Sequence, residues 1–310
     1  MEKYLVTGGA GFIGSNIVKE LVKQGDQVFV LDNLNSGNIK NLESVKKQIK
    51  FIKGDIRDLI TVKKAVKYVD YVLHQAALRG VFQSVKNPLE VNEVNITGTL
   101  NVLVAARDAS IKKVVFASSS SVYGKSKSGR NSEKDFTYPQ SPYALTKLAG
   151  ENYCRLFSEL FGLDTIALRY FNVFGPYQSP KDPYAAVIPI FTNNLTRGLI
   201  SEIHGTGKQT RDFTYVDNVV QANIKAAQSR VEPGQAFNIA NGENTSIKNL
   251  YLEISNILGK DIKPKFVPRR AGDVSKTHAD ISKAKKYLSY NPQVNFHEGL
   301  KKYLSWYLNK

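Results

Sequence analysis

Cysteine is nearly absent from the 310-residue sequence, in which Cys154 is the one example. A single thiol excludes an intrachain disulfide framework and a cysteine-based zinc site, and we predict no metal site. Long apolar runs are also missing, because the longest apolar stretches are no longer than a strand, and we predict no membrane-spanning helix. The opening segment MEKYLVTGG lacks the apolar region of a secretion signal. We therefore expect a cytoplasmic protein.

Acidic residues are scarce relative to basic ones. The chain has 27 Asp and Glu against 43 Lys and Arg, which gives a formal net charge of +16. A nucleic-acid partner, an anionic substrate or a lysine-rich surface each produces such a charge. The basic residues are scattered, whereas a nucleic-acid interface gathers them on one face. A solvated surface is the favoured interpretation, an anionic substrate is a further cause, and no nucleic-acid partner is expected.

Short apolar runs alternate with amphipathic segments through the first half of the chain. The runs are KYLVTG, QVFVLD, IKFIKGD, DYVLHQA, KKVVFAS and DTIALRYFN. The segments between them predict helices at Ile13–Gln24, Ile60–Tyr68, Glu93–Asp108 and Pro142–Phe161. Buried strands that alternate with helices indicate an α/β fold with a doubly wound parallel sheet of the Rossmann type.

The pattern changes after RYFNVFGP. The prolines of GPYQSPKDP interrupt the alternation, and FTYVDNVVQANIKAAQ and AFNIAN return to it. We predict a nucleotide-binding domain at 1–173, rejoined by about 214–240, and a smaller, discontinuous substrate lobe at 174–213 and 241–310. A ligand is expected in the cleft between the two, at the carboxyl ends of the strands.

The segment TGGAGFIG places Gly8, Gly11 and Gly14 between the first strand and the first helix. Glycines there permit a tight turn and a close backbone approach to a pyrophosphate, and the helix N-terminus offers free N–H groups to phosphates. Asp32 ends the next strand, where a carboxylate accepts hydrogen bonds from a ribose diol and repels a 2′-phosphate. The pattern indicates a dinucleotide site that prefers NAD to NADP. Asp55 ends the third strand, either near the expected adenine or as a simple turn residue.

Three pairs of residues share the spacing Tyr-x-x-x-Lys. On a helix this spacing puts both side chains on one face, where the ammonium can lower the pKa of the phenol. The pairs at Tyr123–Lys127 and Tyr177–Lys181 contain a glycine and a proline, and neither predicts a regular helix. The third pair, Tyr143 and Lys147, lies in SPYALTKLAGENYCRLF, where the serine suits an N-cap and the proline suits the first turn. Tyr143 and Lys147 are therefore the candidate catalytic pair.

These motifs resemble the extended short-chain dehydrogenase/reductase superfamily. TGGAGFIG, DNL, GDIRD, LHQAA, VNITGTLNVL, SSSSVYG, SPYALTK, RYFNVFGP, TRDFTYVDN and RRAGDV occur in that order and cover nearly the whole chain. The set looks most like the NAD-dependent nucleotide-sugar 4-epimerases, and YFNVFG with YAAVIP resembles the branch that acts on UDP-N-acetylglucosamine. The resemblance implies inversion at C4 of a UDP-sugar through a 4-keto intermediate.

The resemblance also implies individual roles. Tyr143, as a phenolate, would remove the proton of the sugar 4-hydroxyl while hydride passes from C4 to NAD. Lys147 would lower the pKa of Tyr143, and Ser119 would hydrogen-bond the same hydroxyl. The implied cofactor contacts are Gly8, Gly11, Phe12, Ile13, Gly14, Asp32, Asn33, Asp55, Ile56, Ala76, Asn95, Tyr143, Lys147 and Tyr170. The implied substrate contacts are Ser119, Ser120, Asn172, Val187, Arg211, Arg270, Asp273 and Thr277.

Members of the superfamily that catalyse other reactions carry other residues at these positions. Dehydratases have Thr-Asp-Glu before VYG, where this chain has Ser119, Ser120 and Ser121. Hydroxyl groups cannot supply the acid and base of an elimination near neutral pH, so dehydration is not expected. Enzymes that act on glucuronate need an arginine for the sugar carboxylate, and GPYQSPKDPY contains none.

Thr277 stands where galactose-specific epimerases of the family carry a tyrosine. A small residue there leaves room for an N-acetyl group, so we expect UDP-GlcNAc and UDP-GalNAc as substrates, with UDP-Glc and UDP-Gal accepted as well. Arg79 departs from this branch, in which a small residue is expected. The alternatives are a UDP-glucuronate or other nucleotide-sugar 4-epimerase, and a non-enzymatic NAD fold that binds nucleic acid. The resemblance further implies a homodimer through the helices at Glu93–Asp108 and Pro142–Phe161.

Overall fold

The computed structural model describes residues 1–124, 129–179, 186–269 and 275–309. The strands in chain order are β1 (Lys3–Thr7), β2 (Gln27–Asp32), β3 (Ile49–Lys53), β4 (Tyr71–His74), β5 (Lys113–Ser119), β6 (Thr165–Tyr170), β7 (Val173–Phe174), β8 (Glu202–His204), β9 (Thr210–Arg211), β10 (Thr214–Tyr215), β11 (Gln235–Ile239), β12 (Thr245–Ser246) and β13 (Lys265–Val267). Seven of them form one sheet in the order β11-β6-β5-β4-β1-β2-β3. Every neighbouring pair in this sheet is parallel. The predicted doubly wound α/β fold is therefore confirmed.

Helices connect and flank these strands. They are α1 (Phe12–Lys23), α2 (Leu59–Val66), α3 (Val81–Lys86), α4 (Pro88–Asn92), α5 (Gly98–Asp108), α6 (Pro142–Phe161), α7 (Val187–Thr196), α8 (Val216–Gln228), α9 (Ile247–Leu258), α10 (Ser282–Leu288) and α11 (Phe296–Leu308). Across the described ranges, no helix combines the length and the hydropathy that a membrane span requires.

Helix α6 has the bounds predicted from the sequence. The Ser141 hydroxyl accepts a hydrogen bond from the Ala144 N–H at 3.1 Å, which satisfies one of the unpaired donors at the helix start. Gly162 ends the helix in the left-handed conformation at φ 68°. The segment predicted as one helix at Glu93–Asp108 is different, because it begins with a π-helical turn at Glu93–Thr97 before α5 starts.

Apolar side chains fill both faces of the large sheet. In β1, Tyr4 and Val6 pack on one face and Leu5 packs on the other, as the alternation of side chains along a strand requires. All three are fully buried. A parallel sheet covered on both faces leaves the carboxyl ends of its strands as the place where a ligand is reached.

The smaller elements lie beside that edge. Strand β7 begins shortly after β6 ends and pairs with β10, while β9 pairs with β12 and β8 pairs with β13. The chain rejoins the large sheet at β11, which pairs with β6.

Candidate active site

A cavity of about 1220 Å³ lies at the carboxyl edge of the sheet. Its lining includes every predicted cofactor residue except Asn95, namely Gly8, Gly11, Phe12, Ile13, Gly14, Asp32, Asn33, Asp55, Ile56, Ala76, Tyr143, Lys147 and Tyr170. The first turn, the ends of the second and third strands and the start of α6 thus meet around one space. This is the arrangement expected of a dinucleotide site in a doubly wound sheet.

The glycine turn has a backbone that only glycine fits. Gly8 has φ +67°, and a Cβ on it would lie 2.7 Å from the Ala76 nitrogen. A Cβ on Gly14 would overlap the carbonyl oxygen of Gly8 and lie 2.8 Å from the Gly9 Cα. Both conflicts are with backbone atoms, which cannot move aside as a flexible side chain can. The turn therefore presents bare backbone to the cavity, as a pyrophosphate cradle requires.

Asp32 sits at the end of β2 and is almost fully buried. Its Oδ2 accepts the Ala10 N–H at 2.9 Å and its Oδ1 accepts the Leu34 N–H at 2.8 Å. Burial raises the pKa of Asp32, and these two backbone hydrogen bonds oppose the rise. A carboxylate has about four acceptor sites, so Asp32 keeps capacity for a ribose diol after both bonds.

Asp55 is held by polar neighbours at the end of β3. The Arg57 guanidinium donates to both of its oxygens, at 3.0 and 2.8 Å, and the Asn33 amide donates to Oδ2 at 2.9 Å. The hydrogen bonds from Arg57 lower the pKa of Asp55 to about 2. Asp55 lines the cavity as a carboxylate that is charged near neutral pH and whose orientation Arg57 fixes, and no local sequence pattern indicated this role of Arg57.

The side chain of Asn95 forms hydrogen bonds with two separate segments of the chain. Its amide donates to the Leu78 carbonyl at 2.9 Å and to the Thr146 hydroxyl at 3.1 Å, and its oxygen accepts the Leu78 N–H at 2.8 Å. These bonds tie the loop after β4 to α6. Asn95 is not among the residues that line the cavity, and its role as a cofactor contact stays a prediction.

Helix α6 is seated directly on the end of β5. A Cβ on Gly150 would overlap the ring of Phe116, so the absence of a side chain allows the close approach. The Lys147 ammonium donates to the Ala117 carbonyl at 2.7 Å and lies 5.0 Å from the Phe116 ring centroid. Tyr143, one helical turn earlier, has its ring centroid 5.9 Å from the same ammonium.

Two neighbouring side chains act on the phenol of Tyr143. Its enclosed position raises the pKa of the phenol, and the nearby Ser119 hydroxyl and the charge of Arg79 oppose that rise. Lys147 was predicted to lower the pKa of Tyr143; its ammonium donates to the Ala117 carbonyl and lies 5.9 Å from the Tyr143 ring centroid, and this role stays a prediction. Burial lowers the pKa of Lys147 itself to about 8. Arg79 is the nearby cation that the Tyr-x-x-x-Lys spacing could not indicate.

The serine run forms the strand end next to Tyr143. Ser119 is the last residue of β5, and its Oγ accepts the Ser121 N–H at 3.2 Å and donates to the Ser121 Oγ at 3.0 Å. Ser119 thereby caps a 3₁₀ turn at Ser120–Tyr123. The run is thus regular structure, and its hydroxyls supply no ionised acid or base at this end of the strand.

The predicted substrate residues that the structure describes lie outside this cavity lining. The Asn172 amide donates to the Thr277 hydroxyl at 3.0 Å, so these two predicted contacts are neighbours. Arg211 lies in β9 and donates to the Thr210 carbonyl at 2.8 Å. Val187 is the first residue of α7. The remaining two predicted contacts, Arg270 and Asp273, lie outside the described residues.

A buried carboxylate that was not predicted from the sequence, Asp212, holds the Asn172–Thr277 region together. Asp212 accepts backbone N–H bonds from Asn241 at 3.1 Å, Gly242 at 3.2 Å and Ala279 at 3.2 Å. Burial raises the pKa of Asp212 to about 7, against the effect of these bonds. The position of Asp212 directly after Arg211 in the motif TRDFTYVDN is the one sequence feature that indicated it.

Comparisons with known proteins agree with the dinucleotide site described above. A model of the NAD dependent epimerase/dehydratase family matches residues 4–240. A UDP-glucose 4-epimerase of Mycolicibacterium smegmatis is 39% identical over 310 residues, which cover 99% of this chain and 98% of that protein. A solved UDP-N-acetylglucosamine 4-epimerase from Methanobrevibacter ruminantium M1, in complex with UDP-N-acetylmuramic acid, is 41% identical with a TM-score of 0.95 and covers 99% of this chain and 98% of that one. A UDP-glucose 4-epimerase of Thermus thermophilus, in complex with NAD, is 35% identical with a TM-score of 0.90, covering 99% of each chain.

Proposed function

The chain belongs to the NAD-dependent epimerase/dehydratase family, and we propose that it inverts the configuration at C4 of UDP-sugars through a 4-keto intermediate. The main substrates are UDP-GlcNAc and UDP-GalNAc, and UDP-Glc and UDP-Gal are converted as well. One observation carries the proposal. The strand end beside Tyr143 offers only the hydroxyls of Ser119, Ser120 and Ser121, which suits a proton transfer on a sugar alcohol and not an elimination.

NAD is the cofactor of this enzyme family, and the residues of the cavity fit it. The bare backbone of Gly8, Gly11 and Gly14 would receive the pyrophosphate, and the spare acceptor sites of Asp32 would receive a ribose diol. Lys147 would face the nicotinamide end of the cavity. When bound, NAD supplies the group that takes hydride from C4 and gives it back.

Tyr143 is the proposed general base. The Ser119 hydroxyl lies near its phenol and Arg79 places a positive charge near it, and both favour the phenolate against the burial that disfavours it. The phenolate removes the proton of the sugar 4-hydroxyl as C4 is oxidised, and the phenol returns it as the 4-keto group is reduced. The Lys147 ammonium, held by the Ala117 carbonyl, adds positive charge on the same helix face.

The size of residue 277 is proposed to set tolerance for the N-acetyl group. Thr277 lies against the Asn172 amide, and both are proposed substrate contacts. Thr277→Tyr is therefore expected to lower kcat/KM for UDP-GlcNAc by about 100-fold, because a ring fills the space of the acetamido group. UDP-Glc, which lacks that group, serves as the control substrate in parallel assays and should lose less than about tenfold. Equal losses for both sugars would contradict the proposal.

A second candidate is 4-epimerisation of an acidic sugar such as UDP-glucuronate. Arg79 lines the cavity and lies close enough to Tyr143 to act on its pKa, and a guanidinium is suited to a carboxylate at the neighbouring sugar carbon. This cation is the observation that favours the second candidate.

One experiment separates the two candidates. The purified protein is incubated without added NAD with UDP-GlcNAc, UDP-Glc and UDP-glucuronate in turn, and the products are identified by proton NMR. Conversion of UDP-GlcNAc to a mixture with UDP-GalNAc is the expected result. Conversion of UDP-glucuronate alone would replace the first candidate by the second, and no conversion of any of the three would refute both.

The proposal includes the division of the chain and its assembly. Residues 1–173 and 214–240 form the NAD domain, and 174–213 and 241–310 form the substrate lobe.

Two chains pair through the helices at Glu93–Asp108 and Pro142–Phe161. Exposed apolar side chains on the second of these helices support this pairing: Leu145, Leu160 and Phe161 are each between 50 and 68% exposed. Sedimentation equilibrium should give twice the chain mass. The cytoplasmic location stays a prediction.

A further inference from the structure

A third residue continues the stripe of Tyr143 and Lys147 on α6. Glu151 follows Lys147 by one more helical turn, so the three side chains share a face. Glu151 and Arg169 are both less than 10% exposed. They form a two-pronged ion pair, with Arg169 Nε 2.9 Å from Glu151 Oε1 and a terminal Arg169 nitrogen 2.7 Å from Oε2. This geometry fixes the carboxylate of Glu151 in place.

The same carboxylate binds the serine run. Ser118 is buried, and its hydroxyl donates to Glu151 Oε1. The pairing of β5 with β4 ends at Phe116, so beyond that residue the edge of β5 that faced β4 is no longer paired with it. Lys147 binds the carbonyl of Ala117 there. Side chains of α6 thus bind two successive residues of the strand end.

We propose that Ser118 and Glu151 are positioning residues for catalysis, because together they hold the end of β5 so that the next residue, Ser119, meets the phenol of Tyr143. This inference rests on the proposed role of Tyr143 as the base. A displacement of about 1 Å in a reacting group costs about 100-fold in rate. An enzyme variant in which this strand end is held on only one edge is therefore expected to lose part of its catalytic rate.

The charge of Glu151 has a second effect on the same face. Burial lowers the pKa of Lys147, and the carboxylate of Glu151 opposes that effect. Cys154 also lies near Lys147, but burial raises the pKa of its thiol, so the thiol stays neutral. Glu151 is thus the negative charge that helps to keep Lys147 an ammonium.

The far side of the ion pair offers a matched control. Arg169 also donates to the Tyr123 hydroxyl at 2.9 Å, and that hydroxyl donates to Asn238 at 2.7 Å. Tyr123→Phe removes these two bonds and leaves the bond between Ser118 and Glu151 untouched. Changes at Ser118 and at Tyr123 therefore perturb one network on opposite sides of the Glu151–Arg169 ion pair. Only the change at Ser118 acts on the strand end.

The test compares Ser118→Ala with Tyr123→Phe in steady-state assays with UDP-GlcNAc. Ser118→Ala is expected to lower kcat by about tenfold with KM and retained NAD within twofold, because the substrate contacts are unchanged while the strand end loosens. Tyr123→Phe is expected to keep kcat within twofold, even if its melting temperature falls as far as that of Ser118→Ala. Ser118→Cys, which keeps the volume but has a weak donor, should repeat the loss. Wild-type kcat in both Ser118 variants, or an equal loss in Tyr123→Phe, would overturn the proposal.

A structural readout keeps this test separate from the proposed function. If the wild-type protein converts no UDP-sugar, the proposed function fails, and crystal structures of Ser118→Ala and Tyr123→Phe still report on positioning. The distance from the Ser119 Oγ to the Tyr143 hydroxyl is expected to be longer than in the wild type in Ser118→Ala and to equal the wild-type distance in Tyr123→Phe. An unchanged distance in Ser118→Ala would refute the positioning role.

Discussion

Tyr143→Phe is expected to lower kcat for UDP-GlcNAc epimerisation by about 10³-fold, because the ring stays in place while the group that moves the proton is lost. The retained NAD should be unchanged, since the glycine turn and Asp32 are untouched. The free energy of unfolding should change by about 1 kcal/mol or less, because at most one polar contact of the phenol, that with Ser119, is lost.

The measurement is product formation by NMR over hours, combined with the absorbance near 260 nm that denaturation releases from the purified protein. Tyr153→Phe is the matched control, because it removes a phenol hydroxyl from the same helix ten residues further along. It should keep wild-type turnover. Full activity in Tyr143→Phe would rule out Tyr143 as the base.

Gly14→Ala is expected to abolish NAD retention and epimerisation together. The added methyl would overlap the Gly8 carbonyl oxygen and lie 2.8 Å from the Gly9 Cα, so α1 must move away from the turn. A change of this kind in a packed interior costs about 1–3 kcal/mol. Absorbance near 260 nm after purification and thermal denaturation report the two effects.

Gly162→Ala is the control for this prediction. Gly162 has φ +68°, but a Cβ there meets nothing within 4 Å, and the residue ends α6 far along the chain from the turn. It should lose only about 1 kcal/mol, from the backbone conformation, and keep its NAD. If Gly14→Ala retains NAD as well as Gly162→Ala does, the turn is not the pyrophosphate cradle.

Features set by neighbouring residues were predictable from the sequence. The glycine turn needs only a strand, a helix and the spacing of Gly8, Gly11 and Gly14, all of which are local. The bounds of α6 follow from Ser141 at its start and Gly162 at its end. The order of strands and helices followed from hydrophobic periodicity, which determines which faces can be buried.

Features set by the approach of distant segments were not predictable. Asn95 ends up between the loop after β4 and α6 because Leu78 and Thr146 converge on it. Arg79 acts on Tyr143 from a segment 64 residues earlier in the chain. Neither contact could be predicted from the local sequence, since each depends on how the folded elements pack.

The serine run shows both cases within four residues. That the run ends a buried strand follows from KKVVFA before it. That Ser118 faces Glu151 while Ser119 faces Tyr143 depends on the alternation of side chains in β5 and on the place of α6 against it. Adjacent serines therefore have different proposed roles, one in positioning and one in catalysis.

The most direct test of 4-epimerisation follows the hydrogen at C4. UDP-GlcNAc with deuterium at C4 is incubated with the purified protein in ordinary water and without added NAD, and the UDP-GalNAc formed is analysed by NMR and mass spectrometry. The predicted result is UDP-GalNAc that keeps its deuterium at C4, because the hydrogen leaves and returns as hydride within one enclosed site. UDP-GalNAc with protium at C4 would show exchange with water and would contradict the mechanism.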